Sequence, residues 1–403
     1  MTVPVHRRPR AHFGDGLALG TDPGVAALDA VSAAVAGLDD ELPDLVVVFV
    51  ATDDPDAAEA ALTEVAREVR ARHVIGASVS GAIGAGRAIE GHAAVSAWAG
   101  ALPGAALRAF HLEVLPGPDG LRPLGLPPSD DVHRAGLLIA DPWSFPADAF
   151  VEGSAAVLPG LPLVGGMAAG PQGAGSTRLM LDGRIVDRGA VGVLVGGDVH
   201  VGALVSQGCR PVGPPMIVTA AEGKLLLGLA GTPAVDRLER LLASLEPQDQ
   251  ALASGGLLLG VALDEYAESH ELGDFLIRPL LGVERASSGL VTAESIGVGR
   301  TVRFHVRDAA SADAELRRRL AHGPPHGGGV ILSTCVARGR HLFPPALGGS
   351  DHDVAVVREL LGEPAVAGFF ADGEIGPAAG RNHLHTHSAS MLVFGPGDEE
   401  TSA

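Results

Sequence analysis

The sequence predicts a mixed α/β fold made of two related lobes that arose by internal duplication. Near each end of the chain, two short β-branched runs flank a helical pattern, which favours parallel strands joined by a crossover helix. The same glycine-containing pattern follows the second strand in both places. Between them, Gly-rich turns separate short apolar runs, as in antiparallel hairpins. Each lobe is therefore expected to combine a βαβ unit with hairpins in mixed sheets.

The composition indicates a folded protein and excludes two classes of partner. The chain has 403 residues, 46% of them hydrophobic, which supports two or three domains at about 100–200 residues each. Its net charge of −19 argues against a nucleic-acid binder and against adsorption on anionic lipid. No apolar run approaches the roughly 18 residues of a membrane helix, and no signal-peptide core follows the basic residues 1–10. We therefore expect a cytoplasmic protein.

The first βαβ unit begins with the apolar run Leu45–Ala51, which suits a buried strand. Asp54 is a good N-cap, and Pro55 stands where the first helical residue belongs. Apolar residues then recur at helical spacing from 58 to 72, and 73–77 is the second strand.

The second βαβ unit has the same order near the C-terminus. Residues 330–335 and 366–370 are the two strands, and a helix is expected from about 352 to 361. The pattern V-x-G-x4-G-x-I-G fits both 74–84 and 366–376, after the second strand in each unit. Five matched positions in the same element order indicate a duplication, although single glycine matches carry little weight in so Gly-rich a chain.

The segments between the two units alternate strands, hairpins and helices. The predictions are a surface loop at 115–129, strands 136–141 and 161–164 around a helix at 147–157, hairpins at 177–187, 191–205 and 290–306, helices 233–245 and 310–321, a polar connector 246–256, and strands 257–263 and 275–280.

Glycine loops that follow short strands are the first candidates for a binding site. Ser78 and Gly81 lie in one such loop, and Gly165 with Gly166 in another. Glycine lets backbone N–H groups approach a ligand, and the crevice beyond strand ends is a common ligand site. Neither loop has the dinucleotide-binding or P-loop spacing, so no nucleotide cofactor is expected. Tight turns without any ligand remain the alternative.

Charged and nucleophilic residues follow the strands of the second βαβ unit. Arg338 suits a carboxylate through bidentate pairing, and it could lower the pKa of the Cys335 thiol. Glu374, beside Gly373, could accept a ligand amine or act as a base. The alternatives are that the cysteine is a small buried side chain and that the carboxylate lies in an exposed turn.

Two further segments carry polar side chains. Gln207, Gly208 and Arg210 follow a strand and either line a pocket or simply turn the chain. The alternating histidines of 383–387 would share one strand face, a ladder poorly shaped for a metal centre. No metal site is expected.

Several of these motifs together resemble one known family, the FIST proteins (F-box and intracellular signal transduction). The segments that carry the resemblance are 12–18, 46–50, 75–81, 163–166, 206–213 and 218–223 for the N-terminal FIST domain, and 275–280, 335–339 and 368–376 for the C-terminal one. The resemblance predicts an N-terminal domain at 11–228 and a C-terminal domain at 229–398, with tails at 1–10 and 399–403. The family's first domain often has a Gly-Glu pair, whereas here Gly81 is followed by Ala82.

The resemblance implies a sensory module that binds small molecules, amino acids above all, and feeds signal transduction. No F-box is expected before residue 11, and no effector segment is visible. Two alternatives stay open: a protein-interaction scaffold, or an enzyme that uses Cys335 or Glu374. The opposite charges of Arg338 and Glu374 suit a zwitterion. The predicted ligand site comprises Ser78, Gly81, Gly165, Gly166, Gln207, Gly208, Arg210, Cys335, Arg338, Gly373 and Glu374.

Overall fold

The computed structural model describes residues 10–117, 120–128, 130–168, 170, 173–267, 273–323 and 327–395. Within them the chain forms two units. The first holds the residues up to Val205 together with 317–384 and those from Ala389 onward, and the second holds 206–316 and 385–388. Of the predicted tails, residues 1–9 and 399–403 lie outside the described part.

The elements follow one another in this order. The chain begins with β1 (His12–Leu19), α1 (Pro23–Ala36), β2 (Leu45–Ala51), α2 (Pro55–Glu68), β3 (His73–Val79), β4 (Gly81–Gly84), β5 (Arg87–Glu90) and β6 (Ala94–Ala101). It continues with β7 (Ala105–Gly117), β8 (Gly120–Leu124), β9 (His133–Ala140), α3 (Ala147–Val157), β10 (Leu163–Met167), β11 (Leu179–Leu181), β12 (Arg184–Val186), β13 (Ala190–Gly197) and β14 (Val201–Gln207). The second unit then contributes β15 (Cys209–Glu222), β16 (Leu225–Leu229), β17 (Thr232–Pro233), α4 (Ala234–Ser244), α5 (Pro247–Ser254), β18 (Leu257–Ala262), β19 (Phe275–Glu284), β20 (Gly289–Thr292) and β21 (Thr301–Arg307). The last elements are α6 (Ala309–Ala321), β22 (Gly329–Cys335), α7 (His352–Leu361), β23 (Ala365–Ala371), β24 (Glu374–Ala378), β25 (Arg381–His385) and β26 (Ser388–Phe394).

The described residues of the first unit contain three βαβ motifs. The sequence pattern had identified two of them as copies of each other. Their parallel strand pairs are β2 with β3, β9 with β10, and β22 with β23. Each pair lies in its own mixed sheet, in the orders β1-β6-β2-β3-β11-β12, β8-β7-β13-β9-β10-β24-β25 and β14-β26-β22-β23-β4-β5. The mixed α/β class is confirmed, and the middle stretch of the chain is a third repeat of the same design.

The hairpin that follows each second strand pairs with another repeat's sheet. Strand β4 pairs with β23, β24 pairs with β10, and β11 pairs with β3, all antiparallel. Each repeat therefore gives its hairpin to one sheet and receives a hairpin from another. This cyclic exchange brings the carboxyl ends of all three second strands next to the first residues of an incoming hairpin.

Strand register identifies the equivalent positions of the three repeats. Gly76, Gly165 and Gly368 stand at equivalent places, opposite Val48, Leu138 and Leu332 in the parallel pairs. A side chain is hard to place there, because a Cβ at Gly368 would lie 1.8 Å from the Leu332 carbonyl oxygen.

The incoming strands have equivalent positions as well. Ala82, Leu179 and Glu374 each pair with the residue that directly follows one of those glycines. The three residues therefore hold equivalent register positions, although Glu374 carries a carboxyl group and the other two are apolar.

The core of the first unit lies between the inner faces of the three sheets. Phe49 and Phe369, from two of the sheets, stack there with ring centroids 4.8 Å apart, and Ile139 of the third sheet belongs to the same buried cluster. The outer faces are covered by helices, α1 and α2 on the first sheet and α3 on the second. Asp54 caps α2 as predicted, its Oδ1 accepting from Asp56 N at 2.9 Å.

The second unit is an antiparallel barrel of six strands with a short seventh at its edge. The strands follow the order β15-β21-β18-β19-β20-β16, and β15 closes the ring by pairing with β16. Apolar side chains such as Val302 and Phe304 form its interior. The predicted domain boundary at 228/229 falls within β16.

Four local predictions differ from the structure. Those that concern strands differ because tertiary contacts decide which strands pair. The predicted hairpins 191–205 and 290–306 are two strands each, but the strands of each pair join different neighbours: β13 pairs with β7 and β9, and β20 with β16 and β19. The predicted loop 115–129 carries the paired strands β7 and β8. The connector 246–256 contains α5.

The histidines of 383–387 do not share one strand face. Strand β25 ends at His385, and His387 has a positive φ of 61° in the turn that follows. No group of three or more His, Cys, Asp or Glu side chains with the spacing of a metal site occurs in the part of the chain that the structure describes.

Acidification is expected to destabilise the barrel through His305. This side chain is buried on β21 against Phe275, and burial lowers its pKa to about 4 although the Arg303 carbonyl oxygen, 2.9 Å from Nδ1, raises it. The unfolded chain binds the proton below about pH 6.5, so stability falls from there towards pH 4, by at most about 3 kcal/mol. Urea unfolding at several pH values measures this loss.

The variant His305→Gln is expected to flatten the stability profile between pH 7 and pH 4. The matched control is His92→Gln, which changes an exposed histidine. An unchanged profile in the His305 variant contradicts the prediction.

Candidate functional site

A cleft opens in the first unit at the carboxyl ends of β9 and β10. Its volume is about 470 Å³, within the range of roughly 300–1,000 Å³ typical of small-molecule sites. Its lining residues are Pro142, Phe145, Pro146, Ala147, Asp148, Ala149, Met167, Asp372 and Leu384. Ligands of α/β sheets commonly bind at this end of the parallel strands.

The loop between β9 and α3 is held in shape by Asp141. This buried carboxylate accepts from Thr177 Oγ1 at 2.7 Å, from Ser144 N at 2.9 Å and from Ser144 Oγ at 2.5 Å. Charge-assisted hydrogen bonds of this kind are among the stronger ones in proteins. The wall formed by Phe145 and the start of α3 is thereby preorganised.

The opposite wall is the tight turn of Asp372 and Gly373, through which the chain passes from β23 in one sheet to β24 in another. Asp372 N donates to Met167 O at 3.1 Å, and Met167 N donates to Gly373 O at 2.9 Å. The second residue of the turn needs the conformational freedom of glycine, because Gly373 has a φ of 108°. The turn leaves the Asp372 side chain exposed at the cleft.

The cleft combines two carboxylates with apolar walls. Asp372 stands on the turn and Asp148 in the first turn of α3, whose N-cap, Pro146, makes no side-chain capping hydrogen bond. Phe145, Met167 and Leu384 supply the apolar surface. This arrangement suits a small molecule with a basic group and an apolar body.

Four of the predicted site residues lie together behind this cleft. Gly165 and Gly166 pair with Ile375 and Glu374 across β10 and β24, and a Cβ at Gly166 would lie 2.7 Å from Gly373 O. The side chain of Glu374 is fully buried, at the position where the other repeats have Ala82 and Leu179 in the apolar core. The solvent-facing carboxylate of this segment is Asp372.

Ser78 and Gly81 belong to the strand end of the first repeat. Ser78 Oγ accepts from Arg178 N at 2.8 Å, and a Cβ at Gly81 would lie 2.7 Å from the Phe370 ring. These residues help to seat the incoming hairpins.

Cys335 and Arg338 lie together at the end of β22, where both side chains are buried. Arg338 Nε and Nη2 donate to the two carboxylate oxygens of Asp353, each at 2.8 Å. Thr334 Oγ1 donates to the same carboxylate at 2.6 Å, and the His352 ring stacks on Phe343 at 3.5 Å.

Within this network Arg338 is fully buried and already has a carboxylate partner. The bidentate carboxylate partner predicted for it exists, but it is Asp353 of the chain itself. The guanidinium charge is thereby committed to a carboxylate beside Cys335. Arg338 holds the segment between β22 and α7 in place.

Gln207, Gly208 and Arg210 lie in the second unit. Gln207 Nε2 donates to Phe275 O at 2.8 Å, and Gly208 N donates to His387 O at 2.9 Å. Arg210 forms ion pairs with Asp249 and Asp308. The hydrogen bond to Asp249 raises the pKa of Arg210 above its usual value, although partial burial opposes this rise. These contacts join the start of β15 to the rest of the barrel.

Most residues of the cleft lie outside the site predicted from the sequence. Asp148 and Phe145 were not recognised, because the stretch 133–167 was not seen as a third copy of the βαβ design. A local signal was present: Asp56 follows Pro55 at the second position of α2, and Asp148 holds that position in α3.

Comparison with known families follows the same division of the chain. The FIST N domain model matches residues 44–232, and the FIST C domain model matches residues 234–377. The chain belongs to the FIST family. FIST domains are associated with signal transduction and are proposed sensory domains.

Relatives of this FIST protein occur in mycobacteria. An uncharacterized protein of Mycobacterium tuberculosis (strain ATCC 25618 / H37Rv) is 38% identical over 388 residues, covering 95% of this chain and 99% of the relative. An uncharacterized protein of Mycobacterium bovis is 39% identical over 387 residues, covering 95% and 98%. Among the described residues of the FIST protein, no helix has the length and apolar character needed to cross a bilayer.

Proposed function

We propose that this FIST protein is a cytoplasmic sensor that binds a small amino-acid-like molecule in the cleft between α3 and the β23–β24 turn and passes the signal to a protein partner. The observation that carries the proposal is the cleft itself, at the carboxyl ends of β9 and β10 and bordered by two carboxylates. The segments predicted to bind a ligand, 165–166 and 373–374, lie directly behind it.

The chemistry of the walls supports an amine-bearing ligand. Asp372 and Asp148 can accept hydrogen bonds from an ammonium group, and such charge-assisted bonds contribute about 1.5–3 kcal/mol. Phe145 and Met167 can pack against an apolar side chain. Ala147 N, the first of α3, donates to Phe145 O at 2.9 Å. The next two N–H groups, of Asp148 and Ala149, have no acceptor within the helix, so they can receive a ligand carboxylate.

The enzyme alternative finds less support at the end of β22. Cys335 is buried, and the arginine that could favour its thiolate is bound to Asp353. A nucleophilic cysteine needs access and an uncommitted positive charge nearby. We therefore assign Cys335 and Arg338 positioning roles.

The variant Asp372→Asn is expected to weaken binding of an amino-acid ligand about tenfold, because it removes the charge from one charge-assisted hydrogen bond. The ligand is first found by thermal shift of the full chain against the protein amino acids and related amines. Isothermal titration then gives the dissociation constants of the parent protein and the variant.

The control is Asp29→Asn, which removes an exposed carboxylate on α1 without touching the cleft. It is expected to bind like the parent protein. If both variants bind equally well, Asp372 does not contact the ligand and the assignment of the cleft fails. If no compound shifts the melting temperature, the sensor proposal fails and the scaffold alternative takes its place.

A further inference from the structure

The three crossover helices share an acidic residue. Asp56, Asp148 and Asp353 each occupy the second position, in α2, α3 and α7. Each helix starts at the carboxyl end of the first strand of its βαβ unit. The three carboxylates therefore hold the same position in their helices, although Asp353 is buried and Asp56 and Asp148 are exposed.

In the first repeat an arginine of the chain occupies this crevice. Arg178 lies directly before β11 and places its guanidinium 2.8 Å from Glu59 and 3.8 Å from Asp56, both on α2. Nη1 also donates to Gly175 O at 2.9 Å. The Arg178 side chain is only 15% exposed, so its cation is an integral part of this crevice.

In the repeat of α7 an arginine also meets the carboxylate. Arg338 comes from the segment after β22 rather than from the incoming hairpin, yet it binds Asp353 through two parallel hydrogen bonds. Two different positions in the chain thus supply a guanidinium group to the first turns of a crossover helix. In α7 the guanidinium binds the carboxylate at the second position, whereas in α2 its close partner is Glu59, and Asp56 is 3.8 Å away and 96% exposed. In both repeats, therefore, a guanidinium of the chain meets an acidic side chain near the start of the crossover helix.

Among the residues that the structure describes, none places an arginine in the crevice of α3. Arg178 and Gly373 directly precede the equivalent residues Leu179 and Glu374, so Gly373 stands where the first repeat has its arginine. A glycine cannot fill the crevice. This is the crevice that forms the cleft of about 470 Å³, with Asp148 and Asp372 in its lining.

We propose that this cleft binds a ligand with a guanidinium group, such as free arginine, and that the ligand's guanidinium takes the place that Arg178 and Arg338 fill in the other two repeats. The inference rests on the proposed function and narrows its ligand class. A planar guanidinium presents paired N–H groups that match a carboxylate, which a compact ammonium does not. The apolar wall accommodates the aliphatic stem of the same ligand.

The test is isothermal titration of the full chain with L-arginine, L-lysine and L-citrulline. Citrulline has nearly the shape of arginine but carries a neutral ureido group, so it isolates the charge. We expect arginine to bind at least about tenfold more tightly than citrulline and more tightly than lysine. In the variant Asp148→Asn the preference over citrulline is expected to fall to about twofold or less.

The matched control is Glu152→Gln, which changes an exposed carboxylate one turn further along α3 and keeps the arginine preference. Equal binding of arginine and citrulline, or of arginine and lysine, overturns the guanidinium inference while the sensor proposal stands. If only neutral amino acids bind, the guanidinium inference is likewise overturned and the sensor proposal stands. If no amino acid or amine binds at all, the sensor proposal fails as well.

Discussion

Replacing Asp353 with alanine is expected to lower the free energy of unfolding of the FIST protein by about 3–5 kcal/mol. The reason is that Arg338, whose side chain has no exposed surface, would keep a buried positive charge without its carboxylate. Burial raises the pKa of Asp353, but the charge and hydrogen bonds of Arg338, together with those of His352, outweigh it and hold that pKa well below 3.8. The stabilisation is therefore complete above about pH 4 and declines as the pH falls further.

Urea denaturation at neutral pH measures the loss. The control is Arg188→Ala, which breaks an ion pair with Asp187 whose members are 67% and 52% exposed, and such pairs contribute about 0–1 kcal/mol. The double variant Asp353→Ala/Arg338→Met is expected to be more stable than Asp353→Ala, since it removes the stranded charge. A loss below about 1 kcal/mol for Asp353→Ala would contradict the assignment.

Replacing Gly165 with alanine is expected to cost about 4 kcal/mol. Gly165 has a φ of 130°, a conformation that costs an L-residue about 1–3 kcal/mol. In addition, the new Cβ would lie 2.0 Å from the Leu138 carbonyl oxygen, and relieving such overlap in a packed core costs about 1–3 kcal/mol. The change thus separates β9 from β10 directly behind the cleft. The thermal unfolding midpoint and the urea midpoint measure the effect.

The matched control is Gly153→Ala in α3, where an added Cβ meets nothing within 4 Å. Alanine is favoured over glycine in a helix by roughly 0.5–1 kcal/mol, so this variant is expected to be more stable than the parent protein. The two substitutions should therefore act in opposite directions. A Gly165→Ala protein with parental stability would contradict the conclusion that backbone geometry requires glycine at this position.

Local signals in the sequence predicted most of the elements correctly. The cap at Asp54 and the proline that follows it set the start of α2, and the seven buried residues of Leu45–Ala51 formed the predicted strand. Both depend on interactions within a few residues. The third repeat was overlooked because its glycine segment is followed by a long loop before β11, and this hides the spacing that the other two repeats share.

The candidate site was predicted only in part, for a related reason. The segments of Gly166 and Gly373 were recognised from their position after strands, and they meet in the folded chain. Asp148 is distant from them in sequence, and nothing local marks it as facing the turn at Asp372. The arginine expected to bind a ligand was recognised by its chemistry, but Asp353, its partner, was not foreseen.

The sequence by itself determined the class of fold and the positions of the parallel strands and crossover helices, because these follow from residue periodicity, capping and glycine spacing, and its motifs showed the resemblance to the family. Only the tertiary structure decided which hairpin joins which sheet, since the choice depends on contacts between residues far apart in the chain. That exchange places Arg178 against α2 and Gly373 against α3. The exchange thus sets an arginine against the crossover helix of one repeat and a glycine against that of another.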